Sequence, residues 1–508
     1  MFDSNKIDGY GDSSQCYGGA IRAKNDVTVD NSTFKDNYAH DYGGAIYGNN
    51  IYVNNNQGSN GAFNSFFIGN NAGDNDGGAL YSYCDTHAKN AVFTGNSAYE
   101  DGGAIFCCDN TYITHCLFES NKADGAKLAQ SEGGAIHCKD DLTVENSTFN
   151  KNYAFDYGGA IYADTLALRG YSYFDSNTAY DNCGGAIWVN TFREDVKFAT
   201  FTNNKAGEGD NDDGGAIYID DENWLTFSQC VFVNNHCNDE GGAIYLDSYS
   251  SHLTLSNNIF VSNSAGKKGQ VVYNYGKYDS IYENWWGGKN PSSDNDELIE
   301  WKLISDDHHS DSNPLKLTFK LTPESCSVYD SVSAIVSFNH NDGSNCSNKM
   351  RTEYISFIPT ENITFNNRTD HEFYIDTLLT PQKSGTYVIT ANLFGQLISK
   401  TLNVSMFDSN DDSNNPDIID NSGSAMSNNI FGGNSLVGSA FIGNVLDNNQ
   451  TGNNTSNVNN ASTVNNQSNS NAPVKSVSQS NSNNLMYWAL ALVIIALCAI
   501  IVWRKMKN

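Results

Sequence analysis

The residues of this chain able to do chemistry are acids placed just before pairs of glycines: Asp74, Asp76, Glu100, Asp101, Asp210, Asp212, Asp213, Asp239 and Glu240. A glycosidase or polysaccharide lyase needs one distinct carboxylate pair, or a Lys or Arg base, in a single groove. These acids recur from segment to segment instead, as turn-forming Asp and Asn do at corners. Oxygen-rich Asp210-Asn211-Asp212-Asp213 suits calcium in donor type, and Asp210, Asp212 and Asp213 are the candidate ligands, although the spacing completes no calcium-loop motif. No Ser/His/Asp or Cys/His arrangement is visible, and His308-His309 falls in a stretch without other signals. The 12 cysteines form no CxxC or Cys/His ligand set, so zinc and other cofactors are not expected; Cys326 and Cys346 fall in one domain, and whether they bridge depends on a geometry the sequence does not fix. An enzyme is therefore not the expectation, and a β-helical lyase or hydrolase is the alternative.

Two tetrapeptides set these residues in a frame. Gly-Gly-Ala-Ile begins at Gly18, Gly43, Gly102, Gly133, Gly158, Gly184, Gly214 and Gly241, with a Leu variant at Gly77 and a decayed copy around Gly269. Phe-x-x-Asn begins at Phe2, Phe34, Phe67, Phe93, Phe118, Phe149, Phe174, Phe201, Phe232 and Phe260. The two alternate, and several glycine pairs lie 25 residues apart. A β-rich period of this length is one coil of a solenoid. Each coil offers three strand-like pieces, as in Ala160-Ile161-Tyr162, Leu142-Thr143-Val144 and Ser147-Thr148-Phe149. The expected fold is all-β: a right-handed parallel β-helix over 1–290, with Phe stacked inside, Asn laddered at a corner and glycine allowing a positive-φ turn.

Period-2 alternation then assigns faces. The Ile after each glycine pair and the residue two places on, Cys107 and Cys138 among them, face the core as small buried groups. The residue between them faces outward and reads Arg22, Tyr47, Tyr81, Phe106, His137, Tyr162, Trp188, Tyr218, Tyr245. This aromatic stripe has two readings: a cross-strand stacking ladder, or a binding platform for sugar rings or a protein partner.

The alternating tetrapeptides resemble polymorphic outer-membrane-protein repeats, and the layout is similar to that of archaeal adhesin-like proteins. The resemblance spans roughly residues 1–290 in repeats and the remainder in plan alone. It implies surface exposure and adhesion to extracellular glycans or surface proteins. The chain departs from that pattern in showing no export signal and no C-terminal barrel.

Beyond the repeats, Asn284-Trp285-Trp286 through Pro291 suits a cap on the open solenoid end, with sugar stacking on the Trp pair as the other reading. Residues 291–312 read as a linker, and 313–405 alternate as an Ig-like β-sandwich. Residues 406–484 are an Asn/Ser-rich stalk dense in glycosylation sequons, about 50 Å long as a coil. Residues 485–503 carry no charge and span roughly 28 Å as a helix, and a basic tail fills 504–508. That order predicts a single-pass anchor with the tail in the cytoplasm and the bulk outside. Met1 to Asn5 already reads as part of a repeat, so missing N-terminal residues, a signal among them, are expected. A formal net charge of -29 argues against nucleic acid.

Overall fold

The computed structural model describes residues 1–9, 15–54, 62–125, 130–209, 212–221, 224–248, 252–276, 278–288, 299–301, 311–346 and 349–406. Asp210, His308-His309, the stalk from 407 onward, the apolar run 485–503 and the basic tail lie outside the described residues. Among the described residues no helix is long and apolar enough to cross a membrane.

The repeats wind into a right-handed parallel β-helix. Phe-bearing strands stack into a ten-stranded sheet running from Phe2–Asp3 to Ile259–Val261. Their rings superpose at 4.6–5.2 Å between centroids, and Phe34 through Phe232 are fully buried. Just before each Asn the backbone turns left-handed, as at Lys151 (φ 54°) and Ser176 (φ 56°). The turn aims each Asn along the axis. Its amide donates to the Oδ1 of the next Asn at 2.8–3.0 Å, from Asn5 to Asn263 without a break. It also donates to the Phe carbonyl of the preceding coil, as from Asn152 to Phe118.

A coil carries one more strand than the sequence suggests. Two residues after the Asn, as in Tyr153–Ala154, form a second ten-stranded sheet whose Ala side chains are buried. The glycine pair that follows has two jobs. Gly133 has φ +64°, which a side chain would strain, whereas a Cβ on Gly134 would lie 2.2 Å from the Gly159 carbonyl oxygen. The second glycine therefore sets the spacing between coils and not the turn. Then come the Ile strand and, past a corner of varying length, a fourth strand such as Ile51–Val53 or Trp224–Ser228.

The segment read as a linker belongs partly to the solenoid. Ile299–Trp301 pairs in parallel with Val272–Asn274, and the Asp311 carboxylate accepts from the Asn284 backbone N–H at 3.0 Å. Trp286 caps the Phe column: its ring stacks on Phe260 at 4.6 Å and its indole N–H donates to Asp311 Oδ2 at 3.0 Å. Both tryptophans are buried, which corrects the sugar-stacking reading of the pair.

Residues 316–405 form a sandwich of two four-stranded sheets, with Phe319, Val336, Phe338, Ile375, Ile389 and Leu402 between them. Its core is continuous with Val231, Val233, Ile259, Val261 and Trp285 of the last coils. The sandwich therefore packs on the flank of the solenoid. Arg351 Nη1 donates to the Phe198 carbonyl at 2.6 Å, and Tyr354 Oη meets Thr200 Oγ1 at 2.9 Å. No disulfide joins Cys326 to Cys346.

Candidate binding surface

The stripe on the Ile strands is continuous. Tyr47, Tyr81, Phe106, His137, Tyr162, Trp188, Tyr218 and Tyr245 stack ring on ring at 4.3–6.2 Å, with Tyr17 before them and Tyr273 after. These rings face away from the core, in the register the alternation requires. They do not form an open platform. Phe106 has no exposed surface, Tyr245 is 5 % exposed and Tyr81 9 %; Tyr47, Tyr162, Trp188 and Tyr218 are half-buried. The reason is lateral cover. Tyr42 packs against Tyr81 at 4.7 Å, Tyr157 lies edge-on to Trp188 at 6.2 Å, and the Lys139 ammonium sits 4.8 Å above Phe106. The rings stack as a ladder, and Phe106, Tyr81 and Tyr245 present little surface to a ligand.

The acids before the glycine pairs run beside this ladder. Three of these carboxylates accept a backbone N–H from the next coil: Asp76 from Asp101 at 3.1 Å, Asp101 from Glu132 at 2.9 Å, Asp213 from Glu240 at 2.8 Å. Burial against the rings pushes Asp76 and Asp213 up to about 7 and Glu132 up to about 8, with neighbouring carboxylates adding to the effect. Of the calcium candidates, Asp212 and Asp213 lie in the described residues and point to different partners. Asp212 fills the space under Gly207 and takes a 3.4 Å hydrogen bond from the Asn238 amide, while Asp213 serves the next coil. One group is different in kind: Asp101, Glu132 and His137 bring one ligand atom each to within 4.8 Å of one another.

Cys107 and Cys138 pair in register on adjacent coils and are fully buried, as expected of small core residues.

Exposed aromatics lie on the fourth strand, the one to which Leu142-Thr143-Val144 belongs, at outward positions that no repeat motif singles out. Tyr52, His87 and Tyr112 stack at 5.0 and 4.5 Å, and Tyr112 is 38 % exposed. Further along, Trp224 lies flat on His252 at 3.8 Å and 10°, and is 72 % exposed. Both stacks occupy in-register outward positions of paired strands. The corner before this strand changes length from coil to coil, so no fixed offset from the glycines marks these residues. The alternation Trp224, Thr226, Ser228 outside Leu225 and Phe227 was the available signal.

Comparison with known proteins agrees with this architecture. A family model described as the right handed beta helix region matches residues 128–260. The Chlamydia polymorphic membrane protein repeat matches residues 31–49, 90–108 and 115–139. No curated protein and no solved structure matches the chain. Over its coils the chain is thus similar to polymorphic-membrane-protein repeats wound as a right-handed β-helix.

Proposed function

We propose that the chain is an adhesin-like cell-surface protein whose β-helix is a rigid display rod for binding glycans or surface proteins. On this reading residues 485–503 anchor it in a membrane, 504–508 face the cytoplasm and 406–484 hold the rod away from the bilayer. The observation that carries the reading is Trp224: an indole 72 % exposed, held flat by His252 on a sheet. One face of the indole is covered by His252 and the rest is left open on a stiff sheet, where a ligand ring can stack on it. Its flat apolar face matches the C–H face of a sugar ring, with Thr226 and Thr254 hydroxyls on the same outward face of the strands. A net charge of -29 favours neutral over acidic glycans.

The test is a glycan array probed with the full chain, followed by reducing-sugar release on every hit. Binding without release, lost in Trp224→Ala, supports adhesion. Turnover abolished by one carboxylate substitution overturns it in favour of a β-helical lyase or hydrolase.

A further inference from the structure

His137 is the one imidazole in the ladder on the Ile strands, and its surroundings differ from those of every neighbouring rung. The ring is held between Phe106 and Tyr162, with centroids at 5.0 and 4.8 Å, and the residue is 4 % exposed. Its Nδ1 is sealed from solvent and makes no hydrogen bond. That nitrogen stands 3.2 Å from Asp101 Oδ2 and 3.5 Å from Glu132 Oε2. A protonated imidazole paired with these acids would direct its N–H at one of the oxygens, and neither contact has that geometry. Asp101 Oδ1 is already engaged by the Glu132 backbone N–H, which fixes the carboxylate and leaves Oδ2 facing the imidazole.

A tetrahedral ion about 2.0–2.1 Å from each donor separates its ligands by roughly 3.3 Å, and the two nitrogen–oxygen distances bracket that value. Asp101 and Glu132 converge on a buried imidazole nitrogen, and their two negative charges are held together there only by a proton or a cation among the three groups. The Lys139 ammonium lies over the Phe106 ring and not among the three donors. We infer that Asp101 Oδ2, Glu132 Oε2 and His137 Nδ1 form a binding site for a divalent transition-metal ion of the zinc class. The donors come from two successive coils, Asp101 before one glycine pair, Glu132 and His137 on either side of the next. A bound ion therefore staples coil to coil. Imidazole with two carboxylates suits zinc, cobalt or manganese better than calcium, which takes oxygen ligands alone.

The experiment uses the full chain, chelator-treated and kept reduced, titrated with zinc by calorimetry and with Co(II) by visible spectroscopy. One equivalent of Zn(II) should bind, with Co(II) giving d–d bands of a low-coordinate site. His137→Phe keeps a ring in the ladder, as Phe106 does one coil earlier, and removes the nitrogen. It should weaken binding roughly 100-fold or more and abolish the bands while the thermal midpoint without metal stays near that of the parent. Glu132→Gln should weaken binding with the ladder untouched. Absence of stoichiometric binding by the parent chain overturns the inference. So does undiminished binding by His137→Phe, which would move the ion elsewhere, for instance to His40, Asp41 and Asp74, whose ligand atoms also converge.

Discussion

The indole of Trp286 lies 4.6 Å from the ring of Phe260 and within 15° of parallel, so the buried phenylalanine column ends on a tryptophan. The same indole is tied to Asp311, which also closes the short ladder running through Asn258 and Asn284. Two axial stacks thus terminate on one carboxylate. Trp286→Ala should cost about 3–5 kcal/mol in chemical denaturation, as for other buried Trp truncations. It should also promote self-association at the opened end, measured by light scattering. A loss under about 1 kcal/mol would show that the column needs no cap.

The Phe and Asn columns fail differently. Phe149→Ala leaves a cavity between Phe118 and Phe174, both centred 4.8 Å away, and should cost about 3–5 kcal/mol. Asn152→Ala removes little volume. It takes the acceptor from the Asn121 backbone N–H and one donor from the Phe118 carbonyl, at roughly 1–3 kcal/mol for each buried group left unpaired, while Asn177 Oδ1 keeps the backbone N–H of residue 152. Asn152→Leu should therefore be no better than Ala, because volume is not what the site lacks. Comparable denaturation midpoints for Asn152→Ala and the parent would refute the ladder.

Much of this was legible because the residues involved sit at fixed offsets. Phe149, Asn152, Gly158 and Ile161 each recur one period on as Phe174, Asn177, Gly184 and Ile187, and one-dimensional repetition implies vertical stacking. The cover over Phe106 was not legible, because it comes from Lys139, a residue at no repeat position. The docking of the sandwich was half-legible. Outward positions flanking the Phe are polar on both sides in some coils, as Thr33 and Lys35 or Thr148 and Asn150, and apolar in Val231, Val233, Ile259 and Val261, but Phe66 and Ile68 are apolar too, so apolarity there does not by itself mark the covered face. Ile299–Trp301 carries no repeat motif, so its pairing depends on tertiary context alone.

The docked sandwich yields its own test. Arg351 reaches the Phe198 carbonyl and lies against Tyr171, its guanidinium carbon 5.2 Å from the ring centroid. Arg351→Ala leaves a buried carbonyl without that partner, and Ile259→Asp buries an unpaired charge under the sandwich. Both should separate one calorimetric unfolding transition into two, Ile259→Asp more completely. A single unshifted transition in both would show that solenoid and sandwich do not stabilise one another.

Acidity should stabilise the coils around Asp213. Burial raises its carboxyl to about 7, opposed by the Glu240 N–H and reinforced by the Glu240 and Asp239 charges; Asp212, also buried, rises to about 6. An unfolded aspartate titrates near about 4. Between about pH 4 and 7 the folded chain thus binds more protons than the unfolded one, and stability falls as pH rises. Above about pH 7 the contribution of Asp213 is constant. Asp213→Asn keeps an acceptor for the Glu240 N–H and should flatten the decline across that window. Thermal midpoints with chelator present measure it, and parallel pH profiles for variant and parent would show Asp213 ionised throughout.

Exposure separates binding from folding at Trp224. Removing a ring that is 72 % exposed forfeits little packing, so Trp224→Ala should shift stability by no more than about 0.5 kcal/mol. On a glycan identified as a ligand, the same change should weaken binding by about 1–3 kcal/mol, the scale of losing one anchoring aromatic. Tyr112→Ala, on the separate Tyr52–His87–Tyr112 stack, shows whether the ligand spans both surfaces. Weakened binding in both variants means an extended ligand along the rod, and an effect in Trp224→Ala alone confines it to the coils near His252. Unchanged affinity in both would remove the exposed rings from the contact surface and move the search to the polar outward faces.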